Sequence, residues 1–133
     1  MKALDTNLLV RFLVKDDPIQ AETVRTVFER AERTGGVFLV TTVVVLELVW
    51  VLSAVYGCRR SEIIDAIEQL CMLPILRFEN SDWIHHLIRL GRGGNTDLPD
   101  LLIGIAGQAN GCETTLTFDR KAARSPLFED AAG

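Results

Sequence analysis

The sequence predicts an α/β fold: a mostly parallel central sheet of four to five strands covered by helices on both faces. Short apolar runs alternate with longer amphipathic segments, which is the signature of strands joined by helical crossovers. Capping residues, Pro and Gly mark the junctions between them. No internal repeat, low-complexity segment or linker interrupts the 133 residues, so the whole chain, 1–133, reads as a single domain.

Met1 to Leu4 is a short buried strand, and Asp5-Thr6-Asn7 supplies side chains suited to cap the helix that follows. Pro18 to Arg33 carries Ile19, Val24, Val27, Phe28 and Ala31 at roughly helical spacing, with Pro18 in the first turn and Gly35-Gly36 as the stop. Val37 to Val40 is the second strand. Thr41-Thr42 can cap a helix from about Val43 to Tyr56; its β-branched residues leave strand as an alternative, but its length and Gly57 favour a buried helix. Ser61 to Leu70 is amphipathic through Ile63, Ile64 and Ile67. Leu73 to Phe78, with Pro74, reads as an edge strand. Ser81 to Leu90 is a helix ended by Gly91, and a further helix opens at Asp97-Leu98-Pro99-Asp100 and runs to Gly111. Thr114 to Thr117 is the last clear strand, with Asp119 just beyond it and a helix start at Arg120.

A hydrophobic share of 48% beside 24% charged residues is that of an ordinary globular protein, and the apolar runs are too short to span a bilayer. The first residues lack a basic segment followed by a long apolar one, so a cytoplasmic location and no membrane association are expected. Cys58, Cys71 and Cys112 are odd in number and share no C-x-x-C spacing, which argues against a disulfide framework or a zinc site. With 14 basic and 18 acidic residues, the net charge of −4 gives no bulk attraction for nucleic acid. Local basic patches or a metal can still hold phosphate.

Asp5, Glu47, Asp100 and Asp119 each lie in an apolar stretch of sequence. Glu47 is the only charge in Val43 to Leu52, and a buried carboxylate there would need compensation. In open parallel sheets ligands collect outside the carboxyl ends of the strands, where Asp5 and Asp119 fall, with Glu47 and Asp100 near the starts of helices. Four converging carboxylates repel one another unless positive charge is supplied, and oxygen ligands without His or Cys select Mg²⁺ or Mn²⁺. Such a cation makes phosphoryl chemistry with an activated water the natural reaction. Each acid also has a plainer role: a helix cap for Asp5, a core carboxylate for Glu47, a capping-box member for Asp100, a turn residue for Asp119. Asp97 is either an outer ligand or the N-cap three residues before Asp100.

With the acids so placed, the chain resembles a PIN-domain ribonuclease, specifically a VapC-type toxin of a bacterial or archaeal toxin–antitoxin pair. The resemblance covers nearly the whole length. It is carried by four blocks: Leu4 to Arg11, Val45 to Leu52, Asp100 to Ile103, and Leu116 to Asp119. It implies a three-layer α/β/α fold in which Asp5, Glu47, Asp100 and Asp119 bind Mg²⁺ or Mn²⁺ and cut RNA, leaving a 5′-phosphate and a 3′-hydroxyl. Asn7 and Thr117 match positions that orient the carboxylates or a metal-bound water, although a cap or turn hydrogen bond would explain both. The resemblance further implies a homodimer and a neutralising antitoxin.

For the dimer surface the sequence offers the Ile63, Ile64, Ile67 face and the region of Trp50 and Trp83; for the RNA backbone it offers Arg11 first, among bases that include Lys15, Arg59, Arg89 and Lys121. Two other functions compete. One is a PIN-like RNA-binding protein without catalysis, which the presence of all four acids disfavours. The other is a phosphohydrolase of small phosphate esters, and Asp5-Thr6-Asn7 lacks the second Asp of a D-x-D nucleophile motif.

Overall fold

The structure, a computed structural model, describes residues 1–133 and divides into two compact units, Met1–Asn80 and Ser81–Gly133. In the first, strands β1 (Lys2–Ala3), β2 (Phe38–Val40) and β3 (Leu76–Phe78) form a parallel ladder with β2 in the centre. Lys2 stands opposite Phe38, and Phe38 opposite Leu76. Helices α1 (Thr6–Leu13) and α2 (Pro18–Thr34) connect β1 to β2; α3 (Thr42–Ala54) and α4 (Arg60–Cys71) connect β2 to β3. Parallel neighbours need crossovers of this length.

Local chemistry sets these boundaries. Asp17 Oδ1 accepts the Gln20 amide at 3.0 Å to open α2, Pro18 occupies its first turn, and Gly35 closes it at φ 70°. Thr41 Oγ1 accepts from Val44 N at 3.3 Å to open α3. Helix α4 begins one residue earlier than the sequence indicates, because Glu62 Oε1 reaches back to the Arg59 amide at 2.9 Å. The edge strand expected over Leu73 to Phe78 shortens to β3. Leu9, Val10, Val40, Val45, Leu48, Ile67 and Leu70 are the best-buried residues of this unit.

In the second unit, α5 (Ser81–Gly93) packs on α6 (Leu98–Ala109), and β4 (Thr115–Thr117) pairs in parallel with β5 (Phe128–Asp130). Gly91 does not end α5: it is buried, and two more residues stay helical. A glycine inside a helix costs about 1 kcal/mol, which packing outweighs here. The helix expected from Arg120 is only a 3₁₀ turn, Ala122–Arg124, and β5 has no counterpart in the sequence reading. Gly104 lets α6 approach Leu127 and Phe128, since a Cβ there would lie 2.8 Å from Phe128 Cε2 and 2.9 Å from Leu127 Cβ.

Six helices alternating with parallel strands fit the three-layer α/β/α class. The five strands, however, are hydrogen-bonded as ladders of three and two. No helix is long and apolar enough to cross a membrane.

Candidate active site

At the carboxyl edge of the three-stranded ladder, each strand delivers a polar residue directly into a turn or helix start. Asp5 follows β1 and is the N-cap of α1, its Oδ1 accepting the Thr6 amide at 2.8 Å. Thr41 and Thr42 follow β2. Glu79 and Asn80 follow β3: Glu79 Oε1 accepts the Thr42 amide at 2.9 Å and Asn80 Nδ2 donates to Thr42 Oγ1 at 3.0 Å. Asn80 takes a left-handed conformation, φ 51°, to do so. Glu79 and Asn80 thus fix the start of the helix that carries Glu47, a role the sequence analysis missed; the only signal was an acidic-amide pair after an apolar run.

Asp5 and Asn7 are exposed, whereas Thr6 is 3% exposed and its hydroxyl oxygen has no hydrogen-bond partner. Glu47 corrects an expectation. It is exposed, on the α3 stripe shared with Val43 and Trp50, which are 74% and 58% exposed. Positions i, i+4 and i+7 share a helix face, so the apolar neighbours in sequence are not its neighbours in space. An exposed Glu47 needs no compensating charge.

Arg11 is held by its own unit. Its Nε donates to Gln20 Oε1 at 2.7 Å, and its Nη1 to Asp16 Oδ1 at 3.0 Å and to Tyr56 Oη at 3.1 Å. Tyr56 Oη in turn donates to Asp16 Oδ2 at 3.0 Å, closing a clasp between the end of α1, the start of α2 and the residues after α3. Ile63, Ile64 and Ile67, offered above as a dimer face, are 3%, 2% and 1% exposed: α4 spends that face on the interior of its own unit. Trp83 is half-buried and Trp50 is the exposed tryptophan.

The second unit groups three of the acids. Asp97 occupies the N-cap position of α6, but its carboxylate does not cap the helix; Oδ1 accepts from Lys121 Nζ at 3.0 Å. Asp100 lies in the first turn of α6. Partial burial pushes its carboxyl up from the usual range, the negative charges of Asp97 and Asp119 push it further, and Lys121 pulls it back. Asp119 Oδ1 accepts the amides of Lys121 at 2.8 Å and Ala122 at 3.2 Å, anchoring the 3₁₀ turn. Thr117 Oγ1 accepts the Asp119 amide at 3.0 Å, so its visible role is to shape that turn.

By donor chemistry these residues suit a hard dication: all are oxygen donors, Asp100 and Asp119 form no side-chain ion pair, and Asp100 has a repulsive surrounding that positive charge would relieve. No group of three or more Asp, Glu, His or Cys side chains is gathered closely enough to hold a metal ion. The structure thus brings Asp97, Asp100 and Asp119 into electrostatic contact without forming a ligand shell.

Against known proteins, the family model for the PIN domain matches residues 2–126. No significant match to a curated protein was found.

Proposed function

Since the chain belongs to the PIN domain family, whose members are generally nucleases using divalent metal ions, we propose that it is a Mg²⁺- or Mn²⁺-dependent endoribonuclease. The supporting observation is the match over residues 2–126, combined with the grouping of Asp97, Asp100 and Asp119, where burial first and then the charges of Asp97 and Asp119 push the Asp100 carboxyl up.

In this reading Asp5, Glu47, Asp100 and Asp119 are the residues that would hold the cation, with Asp97 outside them. A divalent cation held there would supply a more acidic water and positive charge against the phosphodiester. The chain's own residues supply the rest. Asp119 is kept in one rotamer by two backbone amides, and Thr117 fixes the turn on which it sits. Asp5 is likewise fixed by the Thr6 amide, with Asn7 beside it available to orient water. Side chains so fixed would hold an attacking water in line with the leaving oxygen, and preorganisation of this kind is a large part of phosphoryl-transfer catalysis. Arg11 serves the RNA backbone only through donors outside its clasp.

We assign the chain to the toxin branch, acting in the cytoplasm as one PIN-like domain, with a homodimeric state and an antitoxin partner whose basic groups would meet the acids. The test is incubation of a labelled RNA panel with Mg²⁺, Mn²⁺ or EDTA, comparing wild type with Asp5→Ala and Asp100→Asn. Cutting only with metal, lost in both variants, is expected. Metal-independent cutting, or unchanged variants, would overturn the nuclease mechanism. Growth arrest on induction, relieved by the product of an adjacent gene, is the outcome required of a toxin.

A further inference from the structure

One lysine in the second unit is linked to all three of its candidate acids, to one through its ammonium, to another through its backbone amide and to the third through charge alone. Lys121 Nζ donates to Asp97 Oδ1 at 3.0 Å, the Lys121 backbone amide donates to Asp119 Oδ1 at 2.8 Å, and the Lys121 charge acts on Asp100. The two sides of the contact are both half exposed, 50% for Lys121 and 59% for Asp97, so the ion pair contributes little to stability. Its position relative to the acids is what matters.

We propose that Lys121 is a built-in counter-ion of the acid cluster, offsetting part of its charge through Asp97 in the metal-free protein and competing with the divalent cation. This rests on the metal-dependent reading above. Two like-signed charges cannot both sit close to one set of carboxylates without repulsion, so loading the site requires the ammonium to leave Asp97 or to be tolerated at a cost in affinity. The Asp119 link is made by backbone and survives any change of side chain. Removing the charge therefore alters competition without dismantling the turn.

Metal affinity is read directly on the full-length protein, by calorimetric titration with Mn²⁺ and by the loss of the free Mn²⁺ electron paramagnetic signal. Lys121→Met is expected to bind Mn²⁺ roughly three- to tenfold more tightly at low ionic strength, the range for a unit charge acting on a dication across several ångströms of water-like dielectric. The gain should shrink as salt is added. Lys121→Arg, which keeps the charge, should bind as the wild type does. Equal affinity in wild type and Lys121→Met, or weaker binding in the variant, would overturn the counter-ion role while leaving the metal site standing. Absence of Mn²⁺ binding in all three proteins would overturn the metal-dependent reading and this inference with it.

Discussion

Replacing Gly104 by Ala sets two known effects against each other at one position. Inside α6, alanine is favoured over glycine by about 0.8–1.0 kcal/mol through backbone entropy alone. Against this, the new Cβ would stand 2.8 Å from Phe128 Cε2, 2.9 Å from Leu127 Cβ and 3.2 Å from Leu127 Cδ1. Leu127 Cβ is fixed to the main chain, and Phe128 pairs with Thr115 in the β4–β5 ladder, so neither can swing aside as a flexible tip would. Relief has to come from moving a strand or a helix, and overpacking of this kind costs about 1–3 kcal/mol. The net expectation is destabilisation by about 1 kcal/mol, which for a chain of this length lowers Tm by roughly 4 °C. Urea denaturation followed by far-UV circular dichroism measures it. Gly93→Ala is the control: it lies at the end of α5 with no atom within 4 Å of its added Cβ, and should be neutral or slightly stabilising. If Gly104→Ala proved as stable as the wild type or more so, the packing of α6 on Leu127 and Phe128 would be wrong.

Tyr56→Phe removes one hydrogen bond from Arg11 and one to Asp16, and should lower stability by about 0.5–1.5 kcal/mol in urea titration; no change would mean that the clasp is ornamental. For Asp100 the folded-state pKa is raised by burial and then by Asp97 and Asp119, so the folded protein binds its proton more tightly than the unfolded chain does. Its contribution is favourable at low pH and is lost as pH rises through the raised value. In EDTA, Asp100→Asn should therefore melt above the wild type at neutral pH, with the gap closing in acid; a constant gap would contradict the shift. Burial pushes the Cys71 thiol up to about 11, whereas Cys112 is exposed, so a thiol reagent at pH 8 should label Cys112 first. Mass spectrometry of timed aliquots decides it.

How far the sequence could be read depended on whether a signal was local. The first-turn Pro18, the cap at Thr41 and the stop at Gly35 are written in single residues, and they appear where expected, whereas the Asp17 cap went unread. Gly91 misled because a glycine inside a packed helix looks, in sequence, like one at its end. Strand β5 was invisible, since Phe128-Glu129-Asp130 has two acids in three residues and is held by pairing with β4 rather than by its own propensity. The acids divide in the same way. Asp5 and Asp119 were placed by the strands before them, but Glu47 was judged by its neighbours along the chain, and one position in each turn of even a very apolar helix faces water. Lys121 was one base among many until its side chain was seen on Asp97, a pairing across 24 residues that no local pattern encodes.

The two ladders differ in how much chain each must gather before its first rung can form. Lys2 meets Phe38, and Phe38 meets Leu76, across spans of 36 and 38 residues, whereas Thr115 meets Phe128 across only 13. By loop-closure entropy alone the longer spans cost about 0.9 kcal/mol more. Slow pairing of distant segments governs folding rates in parallel folds. The carboxyl-terminal ladder is thus set to zip early in refolding, and amides of Thr115 to Thr117 should gain protection from exchange before those of Phe38 to Val40, so that Asp119 finds its turn while Asp5 is still adrift.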